Sequence, residues 1–122
     1  MNMKQSSRNM MKTKIGDIAA FRILREFRKN EEGIPELINI SQAIYYLGIV
    51  NYVDKKGKAL SIKVGQDYYS DQGGFNYFVP KENLDYHKVI KALEKEKRYK
   101  KWTLDEIRAF LSPFLKLENR SI

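Results

Sequence analysis

Alternation of apolar and polar residues in the middle of the chain constrains the fold most. The apolar positions that are separated by one residue are Val50, Tyr52, Leu60, Ile62 and Val64. A period of two predicts β-strands, because successive side chains of a strand point to opposite faces. Residues 55–58 lie between the two runs and predict the turn of a hairpin.

A second hairpin is predicted farther along the chain. Tyr68, Tyr69 and the run Phe75 to Val79 have strand composition, and Gly73 and Gly74 lie between them. Glycine permits the positive φ angles that tight turns need.

Helical spacing predicts two helices before this sheet. In residues 17–27, Ala20, Ile23, Leu24 and Phe27 recur at helical spacing, although the alternation of Ala19, Phe21 and Ile23 also fits a strand. Residues 35–47 follow Pro35, which suits a first helical turn, and end at Gly48. Their apolar stripe is Leu37, Ile40, Ala43, Ile44 and Leu47.

Two further helices are predicted after Pro80. One begins at Asp85 and has Val89, Ile90 and Leu93 on its inner side. The other begins with a capping box, Thr103 with Glu106 three residues later.

This order of elements contains no βαβ signal and predicts an α+β fold. We expect a small antiparallel sheet or partly closed β-barrel, flanked by N-terminal and C-terminal helices. At 14.4 kDa the chain suits one core, which we assign to residues 15–122. Residues 1–14 are polar and basic and predict a flexible arm, within which Met10 and Met11 offer later starts.

The charge is concentrated rather than spread. The net charge is +8, and basic residues cluster in 1–14, in 55–63 and in 95–101. Such clusters favour a polyanionic partner, although a solvated helix end explains the third cluster equally well. An exposed, tyrosine-rich sheet face beside lysines favours RNA over DNA, because aromatic rings can stack on unpaired bases.

The candidate nucleic-acid-binding residues are cations of the second and third clusters together with nearby aromatic rings. They are Lys55, Lys56, Lys58, Lys97, Arg98, Lys100, Lys101, Tyr52, Tyr99 and Trp102.

Composition excludes several kinds of site. The chain has no cysteine and one histidine, His87, which excludes thiolate metal sites, disulfides, His-His metal pairs and a serine triad. We expect no metal and no cofactor, no membrane span, and a cytoplasmic location. The oligomeric state is left open.

Residues 35–64 resemble the second half of a winged-helix DNA-binding domain. The resembling features are the predicted helix through residues 41–47, Gly48-Ile49-Val50, and the lysine-tipped hairpin. This resemblance implies a DNA-binding regulator in which Ser41, Gln42 and Tyr45 face the groove.

In length, basic charge and general run the chain is also similar to PrgU-type regulators of conjugative plasmids. That resemblance implies a PUA-like RNA-binding fold and control of a transcript. The leading expectation is therefore a non-enzymatic nucleic-acid-binding regulator. The alternatives are the winged-helix regulator, a small metal-independent ribonuclease of the toxin type, and a protein-interaction module or inhibitor with a basic docking face.

Overall fold

The computed structural model describes residues 12–70, 75–97 and 99–116. They form seven strands and two α-helices, with short 3₁₀ turns at Lys81–Asn83 and Ser112–Phe114. The elements are β1 (Ile18–Arg22), β2 (Arg25–Lys29), β3 (Pro35–Asn39), β4 (Tyr45–Val53), β5 (Ala59–Val64), β6 (Asp67–Ser70), β7 (Phe75–Val79), α1 (Tyr86–Glu94) and α2 (Leu104–Leu111).

Five strands form one sheet in the order β6-β5-β4-β1-β7, and every hydrogen-bonded pair in it is antiparallel. The α+β class and the antiparallel sheet are confirmed. The hairpin that turns at 55–58 is confirmed as β4 and β5. The second hairpin is wrong, because β6 and β7 form opposite edges of the sheet and run in the same direction.

The sheet curls strongly but does not close. Phe21 on β1 and Tyr69 on β6 have ring centroids 5.2 Å apart, although three strand spacings of a flat sheet would separate them by about 14 Å. Among the described residues no strand pairing joins β6 to β7. The sheet is therefore a curled open sheet and not a closed barrel.

A core lies on each side of the sheet. The inner core, inside the curl, is built from Ala19, Val50, Ala59, Ile62 and Val64. The outer core joins Ile18, Ala20, Tyr45 and Leu47 of β1 and β4 to buried residues near the C-terminus. These are Leu84, Val89, Trp102, Ile107 and Leu111. The helices thus cover the outer face of β1 and β4.

Residues 17–27 form strands β1 and β2, so the predicted first helix is wrong. Ile18 and Ala20 enter the outer core, whereas Ala19 enters the inner core. A strand that is buried on both faces shows a continuous apolar run without a period of two. The N-terminal flanking helices of our prediction are consequently absent.

Residues 35–47 form β3 and the start of β4, so the second predicted helix is also wrong. Its supposed apolar stripe is divided in the structure: Leu37 and Ala43 are exposed, whereas Ile40 and Leu47 are buried. The recognition helix of the winged-helix resemblance is therefore absent. Ser41 and Gln42 lie in a loop, and Tyr45 is in the core.

Strands β2 and β3 form a separate two-stranded sheet, which we call the ribbon. Arg25 pairs with Asn39 at its base, and Lys29 pairs with Pro35 next to its turn. Most of its residues are exposed.

The predicted C-terminal helices are confirmed. Asp85 is the N-cap residue of α1, and Val89 is its buried residue. Thr103 and Glu106 form the expected capping box of α2, with both reciprocal hydrogen bonds present.

The chain before β1 is attached to the sheet from residue 12 onward. Thr13 is 6% exposed, and its N–H donates to the Gly57 carbonyl at 2.9 Å. We predicted residues 12–14 as part of a flexible arm; in the structure Thr13 is buried and hydrogen-bonded through its N–H, whereas Lys12 and Lys14 are exposed. The remainder of the predicted arm, residues 1–11, lies outside the described residues.

Candidate nucleic-acid interface

The outer face of β5 and β6 is left open by the helices. The buried outer core takes its strand residues from β1 and β4, and within the described chain no residue of β5 or β6 belongs to it. Two cross-strand rows cross this region, Ile49–Lys63–Tyr68 and Tyr52–Ser61–Ser70. We call Tyr52, Ser61, Lys63, Tyr68 and Ser70 the open face.

The open face carries two exposed aromatic rings. Tyr52 is 58% and Tyr68 is 61% exposed. The Nζ atom of Lys63 lies 5.8 Å from the ring centroid of Tyr68, and Ser61 Oγ donates to Asn51 Oδ1 at 2.7 Å. Two rings and a cation therefore lie on one face of the sheet, which is an arrangement that can stack bases and contact phosphates. The β4–β5 register shifts on both sides of Tyr52.

A groove of about 440 Å³ borders the open face. Apolar residues from β4 and α1 line it, including Ile49, Ile90 and Leu93. Lys63, Lys97, Lys100, Trp102 and the carboxylates Glu94 and Glu96 also line it. Its volume lies in the range of small-molecule pockets. Lys63 belongs both to the groove and to the open face.

A turn at residues 54–58, which we call the lysine turn, lies at the other end of β5. Asp54 Oδ1 accepts the N–H groups of Lys58 and Lys56, each at 2.9 Å. These bonds hold the pKa of the Asp54 carboxyl below its ordinary value. The fixed turn leaves the side chains of Lys55, Lys56 and Lys58 exposed.

The lysine turn also receives the N-terminal segment. Carbon atoms of Lys12 approach Gly57 so closely that an added Cβ there would lie 3.2 Å from them. Lys12 of the first basic cluster therefore lies beside the turn that carries the second cluster. Six residues of extended chain, about 20 Å, separate Lys58 from Val64 at the groove.

The segment between α1 and α2 places some of the third cluster at the groove. Lys97 is exposed there. Lys100 Nζ lies 4.0 Å from the ring centroid of Trp102 and 3.3 Å from Glu96 Oε1. Tyr99, which is 51% exposed, donates its hydroxyl to Asp67 Oδ2 at 2.7 Å, next to Tyr68. Arg98 lies outside the described residues.

Two candidate residues are held by contacts within the protein. Trp102 is 3% exposed and packs against Phe110 with ring centroids 5.0 Å apart. Trp102 is therefore a core residue whose ring also borders the groove beneath Lys100, and its role as a stacking partner stays a prediction. Lys101 Nζ binds Glu26 Oε1 of the ribbon at 2.6 Å, which turns this cation away from the groove.

Lys63, Ser61 and Tyr68 were not among the candidate residues. Lys63 is a polar residue in the apolar–polar alternation of β5, and this position in the sequence already indicates a side chain on the solvent side of the strand. Its pairing with Tyr68 depends on the β5–β6 register, which the sequence does not specify.

Within ranges 12–70, 75–97 and 99–116, no group of three His, Cys, Asp or Glu residues is placed to hold a metal ion. His87 is exposed. None of the helices in the described part of the chain has the length and apolar character needed to cross a bilayer.

Comparison of the chain with protein-family models, with curated proteins and with solved structures found no match.

Proposed function

We propose that this protein binds single-stranded nucleic acid, with RNA favoured, on the open face. The observation that carries the proposal is the pair of exposed tyrosines, Tyr52 and Tyr68, on one face of the sheet, with Lys63 beside Tyr68 in the same cross-strand row. Base–aromatic stacking contributes about 1–3 kcal/mol per base. Lysines at both ends of the face supply contacts to the phosphates.

The span of the face favours a short single strand. The lysine turn lies about 20 Å from the groove along β5, which suits about four nucleotides. Unpaired bases can reach both tyrosine rings, whereas bases in a duplex are stacked on one another. The resemblance to PrgU-type regulators adds that the target would be a transcript and the effect regulatory.

Affinity for fluorescent single-stranded RNA, duplex RNA and duplex DNA across a salt series tests the proposal. The variant Tyr52→Ala/Tyr68→Ala should lose roughly 5- to 150-fold in affinity per tyrosine for the single strand. The matched variant Tyr52→Phe/Tyr68→Phe keeps both rings and should bind nearly as the parent does.

Charge variants distinguish binding at the open face from nonspecific electrostatic attraction to a basic protein. Lys63→Ala and Lys97→Ala should weaken binding and reduce its salt dependence. Lys88→Ala and Lys91→Ala, on the exposed side of α1, should have smaller effects. Equal losses in both pairs, or a double tyrosine variant with unchanged affinity, would refute the open face as the site.

Two further measurements address the other functions that the sequence suggested. RNA cleavage by the purified protein in chelator would favour a ribonuclease. Absence of specific binding together with a stoichiometric protein partner would favour a protein-interaction module.

A further inference from the structure

The groove beside the open face has an apolar inner end. Leu47 and Trp102 line it and are 5% and 3% exposed, whereas Gln66 and Lys97 of its lining are exposed. Apolar residues therefore lie at the bottom of the groove and polar residues lie at its rim. Its volume of about 440 Å³ is sufficient for a group of small-molecule size, and pockets of this size bury most of the surface of what they bind.

Two of the cations that line the groove are suited to a phosphate. Lys100 already pairs with Glu96, since its Nζ lies 3.3 Å from Glu96 Oε1. Within the described part of the chain, neither Lys63 nor Lys97 pairs with a carboxylate. An anionic group at the rim would therefore gain two lysine contacts without breaking an existing ion pair.

The same rim also accepts hydrogen bonds. Glu94 is an exposed carboxylate at the C-terminal end of α1, and the side chain of Gln66 carries an amide oxygen. The C-terminal end of a helix has a partial negative charge, so a ligand that is only apolar and anionic, such as a fatty acid, is disfavoured there. A nucleotide matches the whole lining, because its base has flat faces that stack and N–H donors on its edge, and its phosphate is anionic.

The groove continues directly into the open face. Lys63 belongs to both, and its cross-strand partner Ile49 lines the groove. On the other side of Lys63 its partner Tyr68 is 61% exposed, and the Lys63 Nζ lies 5.8 Å from the Tyr68 ring centroid. One cation thus lies between an exposed ring and an apolar groove.

We propose that the groove binds one unstacked nucleotide of the strand that lies on the open face. Its base contacts the apolar lining, its phosphate lies at Lys63 and Lys97, and the neighbouring base stacks on Tyr68. This inference rests on the proposed function and adds the origin of its base preference. Stacking on the exposed tyrosines accepts every base, whereas Gln66 and Glu94 distinguish bases by their hydrogen-bonding edges.

Fluorescence of Trp102, the only tryptophan, reports on occupancy because Trp102 lines the groove. The common ribonucleoside 5′-monophosphates should change this fluorescence saturably, whereas ribose 5-phosphate, which lacks a base, should not. Ile90→Phe/Leu93→Phe fills the groove and should abolish the response, while near-UV circular dichroism shows that the variant is folded. Tyr52→Ala/Tyr68→Ala is the matched control and should keep the response.

A second variant changes only the rim. Gln66→Ala/Glu94→Ala replaces two exposed residues and should therefore leave the fold unchanged. It should reduce the differences in affinity among the mononucleotides, because the groups that distinguish the base edges are removed. Differences that stay the same as in the parent would contradict the assigned role of this rim.

Competition tests the link between the groove and the strand. Single-stranded RNA should displace the bound mononucleotide, and the groove-filling variant should bind this RNA roughly 5- to 150-fold more weakly than the parent does. Unchanged RNA affinity in that variant, with no fluorescence response to any mononucleotide, would overturn the groove and leave the open face as the site. A mononucleotide response that RNA does not displace would overturn the link to the strand. A parent that binds no RNA would refute the proposed function and this inference with it.

Discussion

Replacing Asp17 tests how the chain before β1 is fixed to the sheet. Asp17 is 2% exposed. Its Oδ2 accepts the Lys14 N–H at 2.9 Å, and its Oδ1 accepts the Lys81 N–H at 3.0 Å. One carboxylate therefore joins the segment before β1 to the turn after β7.

The magnitude follows from those two amides. Asp17→Ala leaves both without their acceptor, and a buried donor that loses its partner costs about 1–3 kcal/mol. Both amides are only partly buried, so we expect a loss of about 2–4 kcal/mol in the free energy of unfolding. Asp17→Asn keeps one acceptor oxygen and should lose about half as much.

Urea unfolding followed by the fluorescence of Trp102, which is buried and the only tryptophan, measures these losses. The midpoint should fall and the m-value should not change. Asp105→Ala is the control, because Asp105 is exposed and pairs with Arg108; its loss should stay below about 1 kcal/mol. If Asp17→Ala costs no more than this control, water replaces the carboxylate and the reasoning is refuted.

Two further predictions concern the ribbon contact and the groove. Side-chain hydrogen bonds from Lys101 and Arg28 lower the pKa of the Glu26 carboxyl. The ionised Glu26 carboxylate therefore stabilises the fold at pH values above its unfolded pKa of about 4.3, and this stabilisation is lost as the pH falls through its lower folded pKa. The difference in the free energy of unfolding between the parent and Glu26→Gln should consequently vanish in acid. Gly48→Ala would place a Cβ 2.5 Å from the Lys63 carbonyl oxygen; urea unfolding should show a loss of about 1–3 kcal/mol, and a loss under 0.5 kcal/mol would contradict this.

Local signals were sufficient where neighbouring residues determine the structure. The capping box of Thr103 and Glu106 involves residues three apart, and the lysine turn is fixed by Asp54 and the amides that follow it. Neither depends on distant parts of the chain. Both were therefore predictable from the sequence.

In the first half of the chain, tertiary contacts favour strands although the apolar residues have helical spacing. Residues 35–47 contain apolar residues three or four apart, but Leu37 belongs to the ribbon and Leu47 to the outer core. Their spacing is helical only because two unrelated strands follow each other. The β-branched and aromatic residues of this stretch were the better indicator, since they favour strands.

The sequence predicted an exposed, tyrosine-rich sheet face, but it could not show which tyrosines lie on that face, because their exposure depends on which strands the helices cover. Tyr45 and Tyr52 are in the same strand, yet Tyr45 is 6% and Tyr52 58% exposed. The difference arises because the chain near Trp102 packs on Tyr45 through two backbone hydrogen bonds of 2.8 Å, and α1 and α2 pack on the same core. β5 and β6 contribute nothing to that described core, so Lys63 and Tyr68 keep their outer side toward solvent. The same packing that buries Trp102 therefore leaves exposed the surface that we propose as the binding site.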